Sequence, residues 1–378
     1  MPKGLSSGMD NTPINLLILF GGRSCEHAVS VISAQSLVES IQNLPVNIQF
    51  IGITEQGQWR FDERADINAL ISEGVVNPDA GIAVLPDLNH AGSFIDLSNA
   101  QALDYKTDVL FPVLHGPYGE DGTIQGLFEL FDVPYVGCGV AASACGMDKL
   151  LSKKLFEAAG IPQADYLEVQ AHEWAHESSN ILDEIDQDLN YPLFVKPANM
   201  GSSVGIRKVD SKATLAEAID YALKFDLKVL VENGFEGMAE IECAILGNED
   251  LEASVAGEIR AGAEFYDYDA KYVEDTASVH IPAAISEIAS DKVQQYAQQA
   301  FVAIGGSGLA RVDFFVDTKT DDVYINEINT IPGFTPISMY PKLMQASGLP
   351  YAALVAKLIE LAIERFNTKK DIKHSYSV

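Results

Sequence analysis

Acidic, amide and cationic side chains alternate along two stretches near the C-terminal end of this 378-residue sequence. Arg311 and Asp313 lie two residues apart in the run ARVDFFV, and Glu327 and Asn329 lie two residues apart in VYINEIN. Alternate residues of a strand point to one face, so each pair shares a face if both runs are strands. Such oxygen donors suit Mg²⁺, and a neighbouring arginine suits a phosphoryl group in transfer. The pattern therefore favours a metal and phosphoryl-transfer site over an exposed hairpin with ordinary polar residues.

The turn TIPGFTP follows the second run directly, at residues 330–336. A turn of this kind can present backbone N–H groups to an oxyanion or to a substrate carboxylate. Its position directly after the acidic run strengthens the prediction of a catalytic site here.

A second candidate site is the connection ANMGSSVG, at residues 198–205, which follows the apolar run LFVKP. Two glycines and two serines allow backbone amides to approach phosphate closely, and Lys196 supplies a positive charge. The sequence has neither the Walker pattern GxxxxGK[ST] nor a GxGxxG fingerprint. The alternative is an ordinary hairpin, but a lysine that ends an apolar strand is costly to bury without an anionic partner.

Three further segments combine glycine or aromatic residues with titratable ones. GGRSCEHAVS (residues 21–30) joins a strand to a helix whose N-terminus attracts carboxylates, although Glu26 fits equally an ordinary first-turn position. In HGPYGEDGT (residues 115–123), His115 is either functional or a satisfied buried histidine, and Asp121 or Thr123 caps the next helix. AEFYDYDAKY (residues 263–272) is either a loop that closes over a site or an edge strand.

The elements that position these segments alternate between strand and helix in the first third of the chain. Strands at residues 16–20, 48–53 and 109–114, with a helix at 29–41, predict a parallel sheet that binds ligands at its carboxyl edge. Residues 77–99 are rich in Asp, Asn, Pro and Gly and are interpreted as a loop region.

A second, smaller unit follows a predicted helix at residues 148–159. Its strands are predicted at residues 193–196, 205–209 and 229–232, around a helix at 214–225. The rest of the chain is predicted to be strand-rich as far as Glu327 and helical at residues 351–366.

The composition of the chain argues against nucleic-acid and membrane partners and favours a cytoplasmic location. There are 25 Lys and Arg residues against 54 Asp and Glu, a formal charge of −29 that repels nucleic acid and anionic membranes. An ATP site would therefore need local cations. The four cysteines include no CxxC pair, and the apolar run at 16–20 is far shorter than the about 20 residues that span a bilayer. A cytoplasmic protein with no nucleic-acid or membrane partner is expected.

Six motifs, taken in order, resemble the D-alanine–D-alanine ligase family of the ATP-grasp superfamily. They are GGRSCEHAVS, HGPYGEDGT, GMDKLLSK, VKPANMGSSVGI, FYDYDAKY, and ARVDFF with NEINTIPGFTPIS. The resemblance runs from about residue 16 to 366. It implies an α/β (α+β) ATP-grasp fold with an N-terminal parallel-sheet domain (1–140), a small central α+β domain (141–233) and a larger C-terminal α+β domain (234–378).

The resemblance also implies a role for each matching residue. The groups that would bind ATP are Lys149, Lys196, Met200, Gly201, Ser202, Ser203, Glu232, Glu240 and Lys271. Those that would bind the two amino-acid substrates are Glu26, His115, Arg311, Gly333, Ser338 and Met339. The catalytic groups would be Glu26, Ser202, Tyr272, Arg311 and Gly333, with Asp313, Glu327 and Asn329 as metal ligands.

The implied reaction consumes ATP and joins two D-alanines through an acyl phosphate. Two Mg²⁺ ions would act as cofactors, with Mn²⁺ able to replace them, and the family is typically a homodimer. Two positions depart from the family pattern: Ala28 stands where an acidic residue is usual, and Asn233 stands where Lys, Gln or Glu is usual.

Three alternatives remain at this point. D-alanine–D-lactate and D-alanine–D-serine ligases share the motifs, but Tyr272 resembles the enzymes that form dipeptides rather than those that form the lactate ester. A biotin-dependent carboxylase subunit would lack the N-terminal motif and the Tyr272 segment. A non-catalytic nucleotide-binding regulator would be expected to lose metal ligands or the arginine, and all of these are present.

Overall fold

The computed structural model describes residues 13–260, 278–335, 337–370 and 372–373. The N-terminal part contains nine strands, two of which pair only with each other. These strands are β1 (Ile14–Gly21), β2 (Val46–Ile53), β3 (Trp59–Phe61), β4 (Ile71–Ser72), β5 (Val75–Val76), β6 (Ile82–Pro86), β7 (Ser93–Asp96), β8 (Gln101–Lys106) and β9 (Val109–Val113). All except β4 and β5 form one sheet in the order β8-β7-β6-β3-β2-β1-β9.

The predicted parallel sheet is confirmed for the three strands at one end of the sheet, because β1 pairs in parallel with both β2 and β9. Helix α1 (His27–Ile41) covers one face of β1, and helix α2 (Thr123–Phe131) covers the other. Burial on both faces explains why β1 is an unbroken apolar run. The other four strands extend the sheet through antiparallel pairs.

The interpretation of residues 77–99 as a loop region is wrong, because β6 and β7 lie within it. The Asp, Asn, Pro and Gly residues form the turns, and the strands between them have only five and four residues. Burial alternates along β7, and Phe94 is fully buried. Short strands with one buried face leave a weak periodic pattern in the sequence.

The central part contains helices α3 (Val140–Met147) and α4 (Lys149–Ala158) and an antiparallel four-stranded sheet. The Asp148 carboxylate caps α4 by accepting the N–H groups of residues 150 and 151 at 3.0 and 3.1 Å. The remaining elements are β10 (Tyr166–Gln170), α5 (Ala171–Asp188), β11 (Leu193–Pro197), β12 (Arg207–Val209), α6 (Lys212–Ala222) and β13 (Lys228–Asn233). The sheet order is β10-β13-β11-β12.

The C-terminal part is a six-stranded sheet with three helices. Its elements are β14 (Ala239–Gly247), β15 (Glu252–Ala253), β16 (Gly257–Arg260), β17 (Ser278–His280), α7 (Glu287–Ala303), β18 (Gly308–Asp317), β19 (Asp322–Asn329), α8 (Met339–Ala346) and α9 (Tyr351–Lys370). The sequence predicted a strand-rich region as far as residue 327 and did not identify α7 within it. Ser286 caps this helix, and Val293 and Ala297 bury one face at helical spacing.

Two features bear on the expectations drawn from composition. All four cysteines are free thiols, with Cys25 exposed. Among the described residues no single helix is long and apolar enough to cross a membrane; only the α8–α9 pair, bent by 102°, passes that test together. The domain bounds 1–140, 141–233 and 234–378 stay a prediction.

Candidate active site

A cleft of about 350 Å³ is lined by residues from the N-terminal, central and C-terminal parts. Every described residue to which the family resemblance assigned a catalytic, ATP-binding, substrate-binding or metal-binding role lines this cleft. These residues are Glu26, His115, Lys149, Lys196, Met200, Gly201, Ser202, Ser203, Glu232, Glu240, Arg311, Asp313, Glu327, Asn329, Gly333, Ser338 and Met339. The other two, Lys271 and Tyr272, lie outside the described residues.

The floor of the cleft is the hairpin β18–β19. Arg311 pairs with Asn329 and Asp313 with Glu327, so the two strands predicted here are confirmed, and their register places the two predicted pairs opposite each other. A register shift follows at Asp313/Phe314, where Asn326 is the extra residue of a β-bulge. Asn326 instead contacts Lys196, whose Nζ lies 3.2 Å from the Asn326 Oδ1 atom.

Arg311 is held by two carboxylates. Its Nε and Nη2 donate to the two oxygens of Asp313, both at 2.7 Å, and Nε also lies 3.0 Å from Glu242 Oε2. Burial alone would lower the pKa of Arg311, but the Asp313 and Glu242 carboxylates raise it well above its ordinary value. The sequence analysis missed Glu242. The signal available was its place two residues after Glu240 on β14, which puts both side chains on one face.

The donor set on this floor suits a hard divalent cation. Asp313, Glu327 and Asn329 offer two carboxylates and an amide, and Asn329 Nδ2 donates to Asp313 Oδ2 at 3.1 Å. Among the described residues, no cluster of three or more His, Cys, Asp or Glu side chains has a metal-binding arrangement. A site with few protein ligands, completed by water and phosphate oxygens, is typical of Mg²⁺.

The segment between β11 and β12 forms the phosphate-loop candidate. Ser202 and Ser203 have φ values of 50° and 59°, so two successive residues take the left-handed conformation and can direct their amides into one concavity. Asn199 fixes the start of the segment by donating its backbone and side-chain N–H groups to Asp226, both at 2.8 Å. Lys149 reaches across from α4 and donates to the Met200 carbonyl at 2.8 Å.

A buried ion cluster lies beside this loop. Lys196 Nζ is 2.6 Å from Glu232 Oε1 and 3.2 Å from the bulge residue's oxygen, Asn326 Oδ1. Lys153 Nζ is 2.7 Å from Glu232 Oε2. Burial would raise the pKa of Glu232, but the two ammonium groups lower it to about 2. The anionic partner that the sequence required for Lys196 is therefore Glu232, and Lys153 is a site residue that the sequence analysis missed.

The N-terminal motif supplies a buried carboxylate with an unused oxygen. Ser202 Oγ donates to Glu26 Oε1, whereas Glu26 Oε2 has no hydrogen-bond partner among the described residues. A Cβ added to Gly116 or Gly201 would lie 2.6 or 2.7 Å from that oxygen, so both glycines keep the space around it open. A buried carboxylate oxygen without a partner fits an ammonium ligand.

His115 pairs with an acidic residue of its own motif. Its Nδ1 lies 3.1 Å from the Ile331 carbonyl and 3.8 Å from Glu120 Oε1, and Nε2 lies 3.3 Å from Ser33 Oγ. Burial would lower the pKa of His115, but Glu120 and Glu26 raise it overall; burial raises the pKa of Glu120. The sequence analysis missed Glu120 because, in this motif, it considered a function only for His115 and a capping role only for Asp121 or Thr123.

The prediction that Asp121 or Thr123 caps helix α2 is only partly confirmed. Asp121 accepts the Thr123 N–H at 2.9 Å, but the N-cap position itself is Gly122, which has no side chain to cap with. Neither Asp121 nor Thr123 is therefore the N-cap residue.

The turn after β19 closes the far end of the cleft. Ser338 Oγ accepts the Thr335 N–H at 3.0 Å and contacts Thr335 Oγ1 at 2.8 Å. A Cβ on Gly333 would lie 2.7 Å from Ser338 Oγ, so glycine allows this close approach. Ser338 is the N-cap residue of α8, and Met339 begins the helix. A helix N-terminus of this kind attracts carboxylates.

The two departures from the family pattern lie at the rim and at the wall of the site. Ala28 is exposed on the first turn of α1. Asn233 lines the cleft, and its Oδ1 accepts the Asn190 N–H at 2.8 Å.

Two family models match the chain: the N-terminal region of D-Ala–D-Ala ligases at residues 15–138 and the C-terminal region at residues 155–360. The D-alanine–D-alanine ligase of *Acetivibrio thermocellus* is 48% identical, covering 93% of this chain and 96% of the relative. That of *Heliobacterium modesticaldum* is 47% identical, covering 94% and 96%.

Solved structures agree with this comparison. The VanG D-Ala:D-Ser ligase from *Enterococcus faecalis* superposes with a TM-score of 0.82 at 36% identity, covering 93% of this chain and 99% of that one. The D-alanine–D-alanine ligase from *Coxiella burnetii* gives a TM-score of 0.81 at 34% identity, covering 95% and 96%.

Proposed function

Because this chain belongs to the D-alanine–D-alanine ligase family, we propose that it joins two D-alanines for peptidoglycan precursor synthesis. The reaction is ATP-dependent, passes through an acyl phosphate and releases ADP and phosphate. The observation that carries the proposal is the cleft itself, which gathers the acidic floor, the phosphate loop and the buried carboxylate of Glu26.

ATP occupies the part of the cleft between the central and C-terminal sheets. Lys149 and Lys196 bind its phosphates, and the amides of Met200, Gly201, Ser202 and Ser203 cover them. Glu232 and Glu240 lie on the adenine and ribose side. Lys271, known here only from the sequence, reaches the γ-phosphate.

Asp313, Glu327 and Asn329 would hold two Mg²⁺ ions, or Mn²⁺ in their place. Ions bound there would supply neutralisation of the phosphate charge and would make the γ-phosphorus more electrophilic. The acidic floor itself is too negative to accept ATP without cations, which supports this assignment.

The first D-alanine binds between the N-terminal part and the phosphate loop. Its ammonium group pairs with Glu26, whose Oε2 has no hydrogen-bond partner among the described residues and lies close to Gly116 and Gly201. Its carboxylate lies near His115 and attacks the γ-phosphorus of ATP. Ser202 Oγ donates a hydrogen bond to Glu26 Oε1. The family resemblance assigns Tyr272 to the same hydrogen-bonded triad.

The second D-alanine enters from the turn at residues 333–339. Ser338 and the backbone of Met339 bind its carboxylate, so that its amine attacks the acyl carbon. Arg311 and the backbone of Gly333 stabilise the tetrahedral intermediate, after which phosphate leaves. Positioning and charge stabilisation supply most of the catalysis, as in other phosphoryl transfers.

D-Serine as the second substrate is a second candidate, because one of the similar solved structures is described as a D-Ala:D-Ser ligase. The test is turnover with D-alanine alone, with D-alanine plus D-serine and with D-alanine plus D-lactate, with products identified by mass. We expect ADP release with D-alanine alone and the mass of D-alanyl-D-alanine. A mixed product formed in preference would overturn the second-substrate assignment.

The same assay separates the enzyme from a non-catalytic regulator. If ADP binds but is never formed from ATP with any of these substrates, the regulator is the better account. L-Alanine alone serves as the control, because its side chain and ammonium group would exchange places against Glu26.

We propose further that the chain works as a homodimer in the cytoplasm. The family resemblance supports the dimer, and the cysteine usage supports the compartment. Light scattering on the purified protein that gives twice the mass of 40.9 kDa would bear out the dimer, and a monomer mass would contradict it.

A further inference from the structure

Helix α4 sends two lysines, one turn apart, in different directions. Lys149 Nζ lies 2.8 Å from the Met200 carbonyl and 3.4 Å from Glu327 Oε2, at the phosphate loop and the acidic floor. Lys153 points into the central sheet and is 1% exposed, so it cannot reach solvent. Nothing in the proposed mechanism uses Lys153, and a buried ammonium group is costly unless it is paired.

The partner of Lys153 is shared with a residue of the ATP site. Glu232 on β13 and Lys196 on the neighbouring strand β11 are diagonal neighbours on one face, and each Glu232 oxygen contacts one lysine. The ring of Tyr166, directly opposite Glu232 on β10, lies 5.1 Å from Lys153 Nζ. Lys153 therefore has a fixed position against both the carboxylate and the aromatic face.

We infer that Lys153 is a positioning residue for ATP, which acts by occupying one oxygen of Glu232. With Lys153 present, the cluster of two lysines and one glutamate carries a net positive charge beside the phosphate loop. Without it, both Glu232 oxygens are available to Lys196, and the cluster becomes neutral. Lys196 would then be drawn to the sheet and away from the phosphates. The inference rests on the proposed ATP site.

A third contact limits where Lys196 can move. Asn326, the extra residue of the bulge in β19, places Oδ1 at 3.2 Å from Lys196 Nζ. Glu232 and Asn326 thus hold the ammonium group between the central and C-terminal sheets, and Lys153 sets how strongly Glu232 pulls on it. The bulge residue Asn326 and the buried Lys153 therefore both determine the position of the Lys196 ammonium group.

The test compares Lys153→Met and Lys153→Arg with the neighbouring control Lys154→Met. Lys154 is exposed and pairs with Glu168 at 2.9 Å on the surface, so its loss should leave ATP binding unchanged. We expect Lys153→Met to raise the KM for ATP and the Kd for ADP with Mg²⁺ about 10- to 100-fold, the loss typical of one charge-assisted contact. The kcat and the KM for D-alanine should change less than about threefold, and Lys153→Arg should restore ATP binding.

Rescue by Lys153→Arg and a loss confined to nucleotide binding distinguish positioning from a general structural role. Both variants leave Glu232 itself unchanged, so its own part in ATP binding does not enter the comparison. If Lys153→Met does not fold, Lys153→Gln replaces it in the same comparison. An unchanged Kd for ADP, or equal losses in kcat and in both KM values, would overturn the inference. The binding measurement does not require ligation, so it remains decisive even if the wild-type protein fails to join D-alanine.

Discussion

At the scale of single residues, the most consequential contact is the bidentate pair between Arg311 and Asp313. Asp313 faces the proposed metal site, and both of its carboxylate oxygens also accept hydrogen bonds from Arg311. Glu242 shares the arginine, so Arg311 remains paired when Asp313 turns to a cation. The floor of the cleft therefore keeps its charges compensated as ligands enter.

Replacing a proposed metal ligand should stop the reaction without unfolding the protein. Asp313→Asn and Glu327→Gln keep the shape and much of the hydrogen bonding, but they remove a negative charge from the Mg²⁺ site. We expect ADP formation to fall by about 100-fold or more. The control Asp322→Asn, in an exposed residue of the same hairpin, should retain activity. Full turnover in either Asp313→Asn or Glu327→Gln would contradict the assignment of these residues as metal ligands.

The pair of Glu120 and His115 predicts a specific pH dependence. The Glu120 carboxylate helps to raise the pKa of His115, so His115 stays charged, and able to pair with a substrate carboxylate, to higher pH than an ordinary histidine. Glu26, the other carboxylate that faces this group, acts in the same direction. In Glu120→Gln the pKa of His115 should fall, and the alkaline limb of kcat/KM for D-alanine should move to lower pH.

The matching control for this prediction is His115→Gln. In that background, adding Glu120→Gln should leave the position of the alkaline limb unchanged, because the titrating group is absent. Superimposable pH profiles for the wild type and Glu120→Gln would show that this carboxylate does not set the charge of His115.

At the scale of elements, loops that approach the same side chain from two units define the first-substrate pocket. Gly116 follows β9 and Gly201 lies between β11 and β12, and both leave room for Glu26. In Gly201→Ala the new Cβ would displace the end of the Glu26 side chain rather than any backbone. We expect the KM for D-alanine to rise about tenfold, the cost of weakening one charged contact, with little change in unfolding temperature.

A helix glycine on α2 gives the matched comparison. Gly126 has no neighbouring atom within 4 Å of an added Cβ, so Gly126→Ala should keep full activity and gain about 0.5–1 kcal/mol in free energy of unfolding. Equal KM values for D-alanine in both alanine variants would contradict the role given to Gly201.

The sequence predicts elements and faces well where periodicity is strong. The alternation in β18 and β19 predicts that Arg311 and Asp313 share a face and that Glu327 and Asn329 do. The register between the two strands, which brings the pairs together, comes from the structure. The bulge at Asn326 could not be predicted, because one extra residue in a short strand leaves no periodic signal. Helix α7 was missed because its buried face is largely alanine, which marks a helical face weakly.

Contacts between residues distant in the sequence were the other feature that could not be predicted. Lys153 and Glu120 lie within recognised motifs, and Glu242 lies two residues from Glu240. Their roles nevertheless depend on which side chain the fold places opposite them. Lys153 and Glu232 are 79 residues apart, and only the packing of α4 on the central sheet brings them together. Residue types and spacing indicate the chemistry of a site but do not supply such contacts.

At the scale of the whole molecule, the last helix fixes the N-terminal part to the C-terminal sheet. Arg365 on α9 donates to the Gly137 carbonyl, to Ser307 Oγ at 2.8 Å and to the Tyr135 carbonyl at 3.2 Å. Its guanidinium also lies 4.2 Å from the centre of the Tyr135 ring. One side chain thus connects segments that precede α3 with the start of β18, and so stabilises the arrangement that forms the cleft.

Loss of this connection should reduce stability. Arg365→Met leaves two backbone carbonyls without their donor, and we expect the free energy of unfolding to fall by about 2–4 kcal/mol in denaturant titration. Lys369→Met, which removes a half-exposed ion pair with Glu129 four residues further along the same helix, should cost less than about 1 kcal/mol. Similar losses in both variants would mean that Arg365 contributes no more than a surface charge.

The account's central claim is that ATP activates the carboxylate of one D-alanine as an acyl phosphate inside this cleft. The most direct measurement uses D-alanine labelled with ¹⁸O in its carboxylate, with ATP and Mg²⁺, and determines by mass the phosphate that is released. The account predicts one ¹⁸O atom in each phosphate, because the bridging oxygen comes from the substrate and leaves with the phosphoryl group. Dipeptide formed together with unlabelled phosphate would contradict it.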